Sequence, residues 1–111
     1  MKLVRVDRAT DKFIKTLSVK AQKQWLIAMA DLQHGFNIPM PRSRPMNVVS
    51  MGVSELRLKD RYGVYRIFYY LKLKNEILVF YAFQKKTQQT PLEEIETARG
   101  RLRRLLLEEK E

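Results

Sequence analysis

The chain has 111 residues, the size of one domain, and its 45% hydrophobic content fits a folded core rather than a disordered chain. Its 22 lysines and arginines stand against 12 aspartates and glutamates, a net charge of +10; that favours nucleic acid, an anionic membrane surface or an acidic protein as partner without choosing among them. Cysteine is absent, which excludes disulfides and thiolate metal sites. No apolar run nears the roughly 20 residues that span a bilayer, and MKLVRVDRAT carries no apolar secretory core, so the expectation is a cytoplasmic protein without a membrane partner.

Taken in chain order, Leu3, Val4 and Val6 predict a short strand. Thr10 or Asp11 is placed to cap a first helix with Phe13, Ile14 and Leu17 on one face. Ser18 caps a second, in which Val19, Trp25, Leu26, Met29 and Leu32 recur as an apolar stripe; Gly35 ends it, with His34 in the last turn. Residues 36–52 hold Pro39, Pro41 and Pro45 and read as a surface loop, made basic by Arg42 and Arg44.

Three strands follow. Residues 54–59 alternate Leu56 and Leu58 against Glu55, Arg57 and Lys59. Asp60, Arg61, Tyr62 and Gly63 make a turn in which Gly63 can take positive φ. Residues 64–72 are a long β-rich run, Lys74, Asn75 and Glu76 turn the chain again, and residues 77–83 are nearly all apolar, as in a central strand buried on both faces. The last element is a helix with Thr90 as N-cap, Pro91 at N1 and Glu93 completing a capping box; Leu92, Ile95, Ala98, Leu102 and Leu105 form its inward stripe. The fold class is α+β: an N-terminal strand and two helices packed on a small antiparallel sheet, plus a C-terminal helix, all in a single domain over residues 1–111.

Several chemistries are missing. The single histidine, His34, sits at a helix end, where a surface imidazole explains it. There is no Gly-rich phosphate loop and no Ser-His-acid set. The carboxylate pairs Glu93/Glu94 and Glu108/Glu109 fall at helix starts and tails. A self-contained hydrolase is not expected, and no metal or cofactor is called for. What the chain does have is cations on strands. Arg66 interrupts VYRIFYYL, and a mid-strand charge needs a reason, because an unpaired buried charge costs several kcal/mol. Either it pairs with a carboxylate such as Glu55, or its face is open to an anion. Alternation puts Arg66 with Val64, Phe68 and Tyr70, opposite Tyr65. Three adjacent strands can thus converge Arg57, Arg66 and the Lys85/Lys86 pair on one surface, with Tyr65 or Tyr70 nearby. Guanidinium forks grip phosphate, ammonium groups stabilise charge developing on phosphorus, and aromatic rings stack on unpaired bases.

ELRLKD, then YGVYRIFYYLK, then VFYAFQKKTQQTPLEEIETARGRL resembles the phage-derived, toxin-like HigB proteins of the RelE-type toxin superfamily. The likeness covers residues 55–102, and its F-x-K-K-T-x-x-T-P portion is the most specific. It implies a RelE-like toxin of a type II toxin–antitoxin pair, with a cognate helix-turn-helix antitoxin, that cleaves mRNA in the ribosomal A site. The RNA's own 2′-OH would serve as nucleophile, so no metal would be needed. On this resemblance Arg57, Arg66, Lys85 and Lys86 are the catalytic candidates, with Arg66 holding the scissile phosphate. Lys59, Arg61, Tyr65, Gln84 and Thr87 are candidate RNA contacts. The chain lacks the histidine near the cations and the tyrosine after the final strand that some relatives have, so the general base stays open among Glu55, Lys59 and Tyr65. Charge and aromatics alone also fit a non-catalytic nucleic-acid-binding module or a phage-derived interaction protein.

Overall fold

The computed structural model describes residues 1–109. The elements are β1 (Leu3–Val6), α1 (Arg8–Lys15), α2 (Val19–Gln33), β2 (Ser43–Pro45), β3 (Val53–Asp60), β4 (Gly63–Tyr70), β5 (Glu76–Lys85) and α3 (Leu92–Glu109). The strands form one sheet in the order β1-β5-β4-β3-β2. The β3-β4-β5 meander is antiparallel, as its alternation predicts. The sheet as a whole is mixed and five-stranded, not the small antiparallel sheet expected. β1 pairs parallel to β5, and β2 adds an edge strand within the stretch read as loop. Pro45 fits there because the outer side of an edge strand needs no N–H donor.

The sheet is covered on both faces, which is why β5 reads as an unbroken apolar run. On one face Ile14 of α1 and Ala21, Trp25, Ala28, Met29 and Leu32 of α2 pack against Leu56, Leu58, Tyr65, Ile67, Ile77 and Val79. On the other, Ile95, Ala98, Leu102 and Leu105 of α3 pack against Val53, Phe68, Leu78, Phe80, Tyr81 and Phe83. Two inward stripes differ from expectation. In α2, Val19 and Leu26 are exposed and the alanines at 21 and 28 are buried instead; small side chains let the helix axis approach the sheet, and that sets its rotation. In α3, Leu92 is 65% exposed because it opens the helix beyond the sheet's reach.

Capping follows the sequence at one helix and departs from it at two. Ser18 Oγ accepts from Ala21 N–H at 3.1 Å, as an N-cap should, and Gly35 takes φ 84° behind α2. α1 starts earlier than expected, at Arg8, behind Asp7. At α3 the expected capping box does not form. The Pro91 carbonyl accepts the first bonds, from Glu94 and Ile95 N–H at 3.0 and 3.2 Å, so the cap moves on by one residue and Thr90 Oγ1 is buried without a partner among the described residues. Among the described residues no helix is long and apolar enough to cross a membrane.

Candidate functional site

The register of the meander lays out a grid of side chains on the face that α3 covers only in part. In one row Arg57 faces Arg66, which faces Phe83; in the next, Lys59 faces Val64, which faces Lys85. On the other side of the Arg57 row, Glu55 faces Phe68 and is itself faced by Arg44 of β2. α3 lies over Phe68, Tyr81 and Phe83, which leaves the corner of Arg57, Lys59 and Lys85 uncovered.

Lys85 reaches this face because of an irregularity in β5. Phe68 pairs with Tyr81 and Tyr69 with Val79, so Phe80 has no cross-strand partner in β4. Both Phe80 and Tyr81 therefore point towards α3, and the alternation changes phase between them. Beyond that point Phe83 and Lys85 share the α3 face while Ala82 and Gln84 take the other. In an unbroken strand Gln84 would stand in the cation row.

Like charges directly opposite on neighbouring strands repel, and Arg57 facing Arg66 needs a counterion. Glu55 supplies it. Its Oε1 accepts from Arg66 Nη1 in a short ion pair and from Arg44 Nε at 3.2 Å. Arg66 is only 4% exposed and Glu55 is buried as well. Of the two reasons for a mid-strand arginine, pairing with Glu55 is the one realised. Yet the group is incompletely satisfied: Glu55 Oε2 and Arg66 Nε are buried without hydrogen-bond partners among the described residues. Burial pushes the Arg66 guanidinium below its usual range, opposed mainly by the attraction of Glu55. Lys85 is also pushed down, first by desolvation and then by the positive charges of Arg66, Arg57 and Arg44.

The remaining candidates lie apart from this cluster. Tyr65 is 7% exposed on the α1/α2 face, packed edge-on against Phe13, with its hydroxyl donating to Asp60 Oδ1 at 3.2 Å. Burial raises its phenol, with Asp60 adding to the shift. Gln84 donates from Nε2 to the Tyr62 carbonyl at 3.2 Å and so ties β5 to the β3-β4 turn. Arg61, in that turn, stacks over Tyr62 at 4.9 Å. Lys86 and Thr87 are exposed just past β5, and Thr87 Oγ1 donates to the Gln89 carbonyl at 2.6 Å. Tyr70 packs at the margin of the α3 core. Asp60 anchors the turn, accepting from Tyr62 N–H at 2.8 Å and from Ser18 Oγ at 2.5 Å. Among the described residues no group of three or more His, Cys, Asp or Glu side chains is placed to hold a metal ion.

Sequence reasoning missed Arg44 as a member of the cluster. A three-residue edge strand has no periodicity to betray it, and the neighbouring prolines argue for loop.

Among curated proteins none matches the chain. A family model described as phage-derived protein Gp49-like does match, over residues 12–103. That span takes in α2, the whole meander with its cation grid and most of α3, and on it the chain belongs to the phage-derived Gp49-like family, a toxin-like family associated with RelE-type toxins.

Proposed function

We propose that the chain is the HigB-like toxin of a type II toxin–antitoxin pair, an endoribonuclease that cuts mRNA held in the ribosomal A site. The observation that carries this reading is the grouping of Arg57, Arg66 and Lys85 on one partly open sheet face, where desolvation first and the neighbouring guanidiniums second push the Lys85 ammonium down. A lowered ammonium gives up its proton more readily, which suits Lys85 to the role of general base. In the proposed reaction Lys85 Nζ takes the proton of a 2′-OH. The 2′-oxygen attacks the adjacent phosphorus, and the bond to the 5′-oxygen of the next nucleotide breaks. The products are a 2′,3′-cyclic phosphate and a 5′-hydroxyl. Arg57, exposed above the Arg66–Glu55 pair, holds the phosphate and the charge that develops on it. Lys59, across Val64 from Lys85, returns a proton to the leaving 5′-oxygen. Arg66 acts from beneath: it keeps Glu55 in place and adds to the positive potential. A cognate helix-turn-helix antitoxin silences the protein by covering this face, and acidic groups on it would meet the cations.

The test is single-turnover cleavage of mRNA on stalled ribosomes, with the cut ends mapped. Lys85→Ala should lose about 10²–10⁴-fold in rate and Arg57→Ala about 10²–10³-fold. Unchanged rates in both variants would remove the mechanism. Salt-dependent RNA binding by the wild type, with no cleavage on ribosomes, would make the chain a binding module instead.

A further inference from the structure

We infer that the groove beside the open half of β3 is a nucleobase subsite, which takes the base of a nucleotide adjoining the phosphate held at Arg57. The inference deepens the ribonuclease reading and rests on it for the identity of the ligand.

β2 pairs with β3 only as far as Leu56, so residues 57–60 form a free edge. There α2 and the chain before β2 stand away from the strand and enclose a groove of about 580 Å³, within the range of small-ligand sites. Leu56 and Leu58 form its apolar floor, and Ile27 and Pro41 its walls. Ile27 is 58% exposed, unusual for a branched aliphatic residue with this much apolar surface facing it. The rim carries Arg42, Arg57 and Lys59, and among the described residues no carboxylate lines the groove. An apolar slot with a wholly cationic rim suits a flat ring that carries an anion.

The main-chain geometry argues against an added peptide strand. An exposed edge normally recruits strands through unpaired N–H and C=O groups. Here Lys59 N–H donates to Gln24 Oε1 at 2.9 Å, and Gln24 Nε2 donates to the Lys59 carbonyl at 2.7 Å. Arg57 N–H donates to the Arg42 carbonyl at 2.7 Å. These three main-chain groups are taken, so the edge offers an added strand little, and walls and rim are left to hold a ligand. Gln24 keeps a second N–H and a second lone pair, either of which can meet a base edge. Arg57 belongs to both the groove and the cation row, so one nucleotide can place its base in the slot and its phosphate at the cluster.

The experiment is a methyl-NMR titration of the whole protein with a 2′-O-methylated RNA trinucleotide, which cannot be cut, alongside inorganic phosphate and a polyglutamate peptide. The Ile27, Leu56 and Leu58 methyls should shift with the trinucleotide and not with phosphate, while Leu102 on the inward face of α3 stays still. Ile27→Ser, a change at an exposed position, should weaken trinucleotide binding roughly tenfold and leave phosphate binding unchanged. The inference is overturned if the trinucleotide leaves the groove methyls unmoved, if phosphate moves them equally, or if only the peptide does. Because no turnover is measured, the outcome is independent of cleavage: a wild type that binds the trinucleotide in the groove yet leaves ribosomal mRNA intact would defeat the ribonuclease reading alone.

Discussion

A guanidinium in the middle of a buried strand is tolerable only beside a carboxylate, and Arg66 and Glu55 depend on each other in that way. Removing either should leave an uncompensated buried charge, so Arg66→Ala and Glu55→Ala should each destabilise by about 3–5 kcal/mol in urea unfolding. A double replacement by apolar residues should recover much of that stability, because it removes both desolvated charges together. Loss of activity in Arg66→Ala must therefore be read against its folded fraction, whereas Arg57 and Lys85 can be changed without breaking the buried pair. Asp60 is shifted down like Lys85, but for a carboxylate that shift favours the charged form. Its hydrogen bond from Ser18, with those from Tyr62 and Tyr65, holds its carboxyl below the ordinary range. The native state therefore binds fewer protons here than the unfolded chain around the unfolded carboxylate pKa of about 3.9. Stability from this group is complete above that pH and fades as pH falls through the lower folded value. Asp60→Asn should unfold more readily than the wild type at neutral pH, and the gap in melting temperature should close on acidification; a constant gap would exclude the linkage.

At the scale of elements, the β3-β4 hairpin is held by a two-residue turn whose return residue is Gly63, at φ 152°. A Cβ there would come within 2.6 Å of Gln84 Nε2. Gly63→Ala should cost roughly 1 kcal/mol or more through backbone strain and the displaced amide, and adding Gln84→Ala should return only the steric part; denaturant midpoints of the three variants separate the two contributions. The meander, its turns and the Ser18 cap were legible in the sequence because each has a local cause: alternation, a turn glycine, a side-chain acceptor at N-cap. β2 was not legible, since three residues carry no period. Nor was the departure at α3, where Thr90-Pro91 fits a cap in either of two frames and packing selects the later one. The candidate site was legible in part. Glu55, Arg57 and Arg66 follow from simple alternation, and Arg66's need for a carboxylate was plain. The facing of Lys85 was hidden, because the bulge at Phe80 has no residue signature in a run of apolar side chains. Tyr65 could be placed opposite Arg66 by parity alone, but its burial against Phe13 depends on where α1 lands.

Across the whole molecule the excess of ten positive charges sets how strongly any polyanion is held and how steeply salt weakens it. If Arg57 contacts phosphate, Arg57→Ala should lower the slope of log affinity against log salt by about 1, whereas Arg61→Ala, out in the turn, should change it less; equal slopes would place the polyanion elsewhere. The order of assembly is also built into the sheet. β5 is the strand that β1 and β4 both lie against, with Val4 beside Ile77 and Val64 beside Lys85, and it is the last strand in the chain. During synthesis β1 cannot pair with β5 until residues 76–79 have been made, and the basic cluster lacks Lys85 until β5 is complete. A chain that stops short of residue 85 therefore carries Arg57 and Arg66 without the lysine that the finished sheet sets beside them.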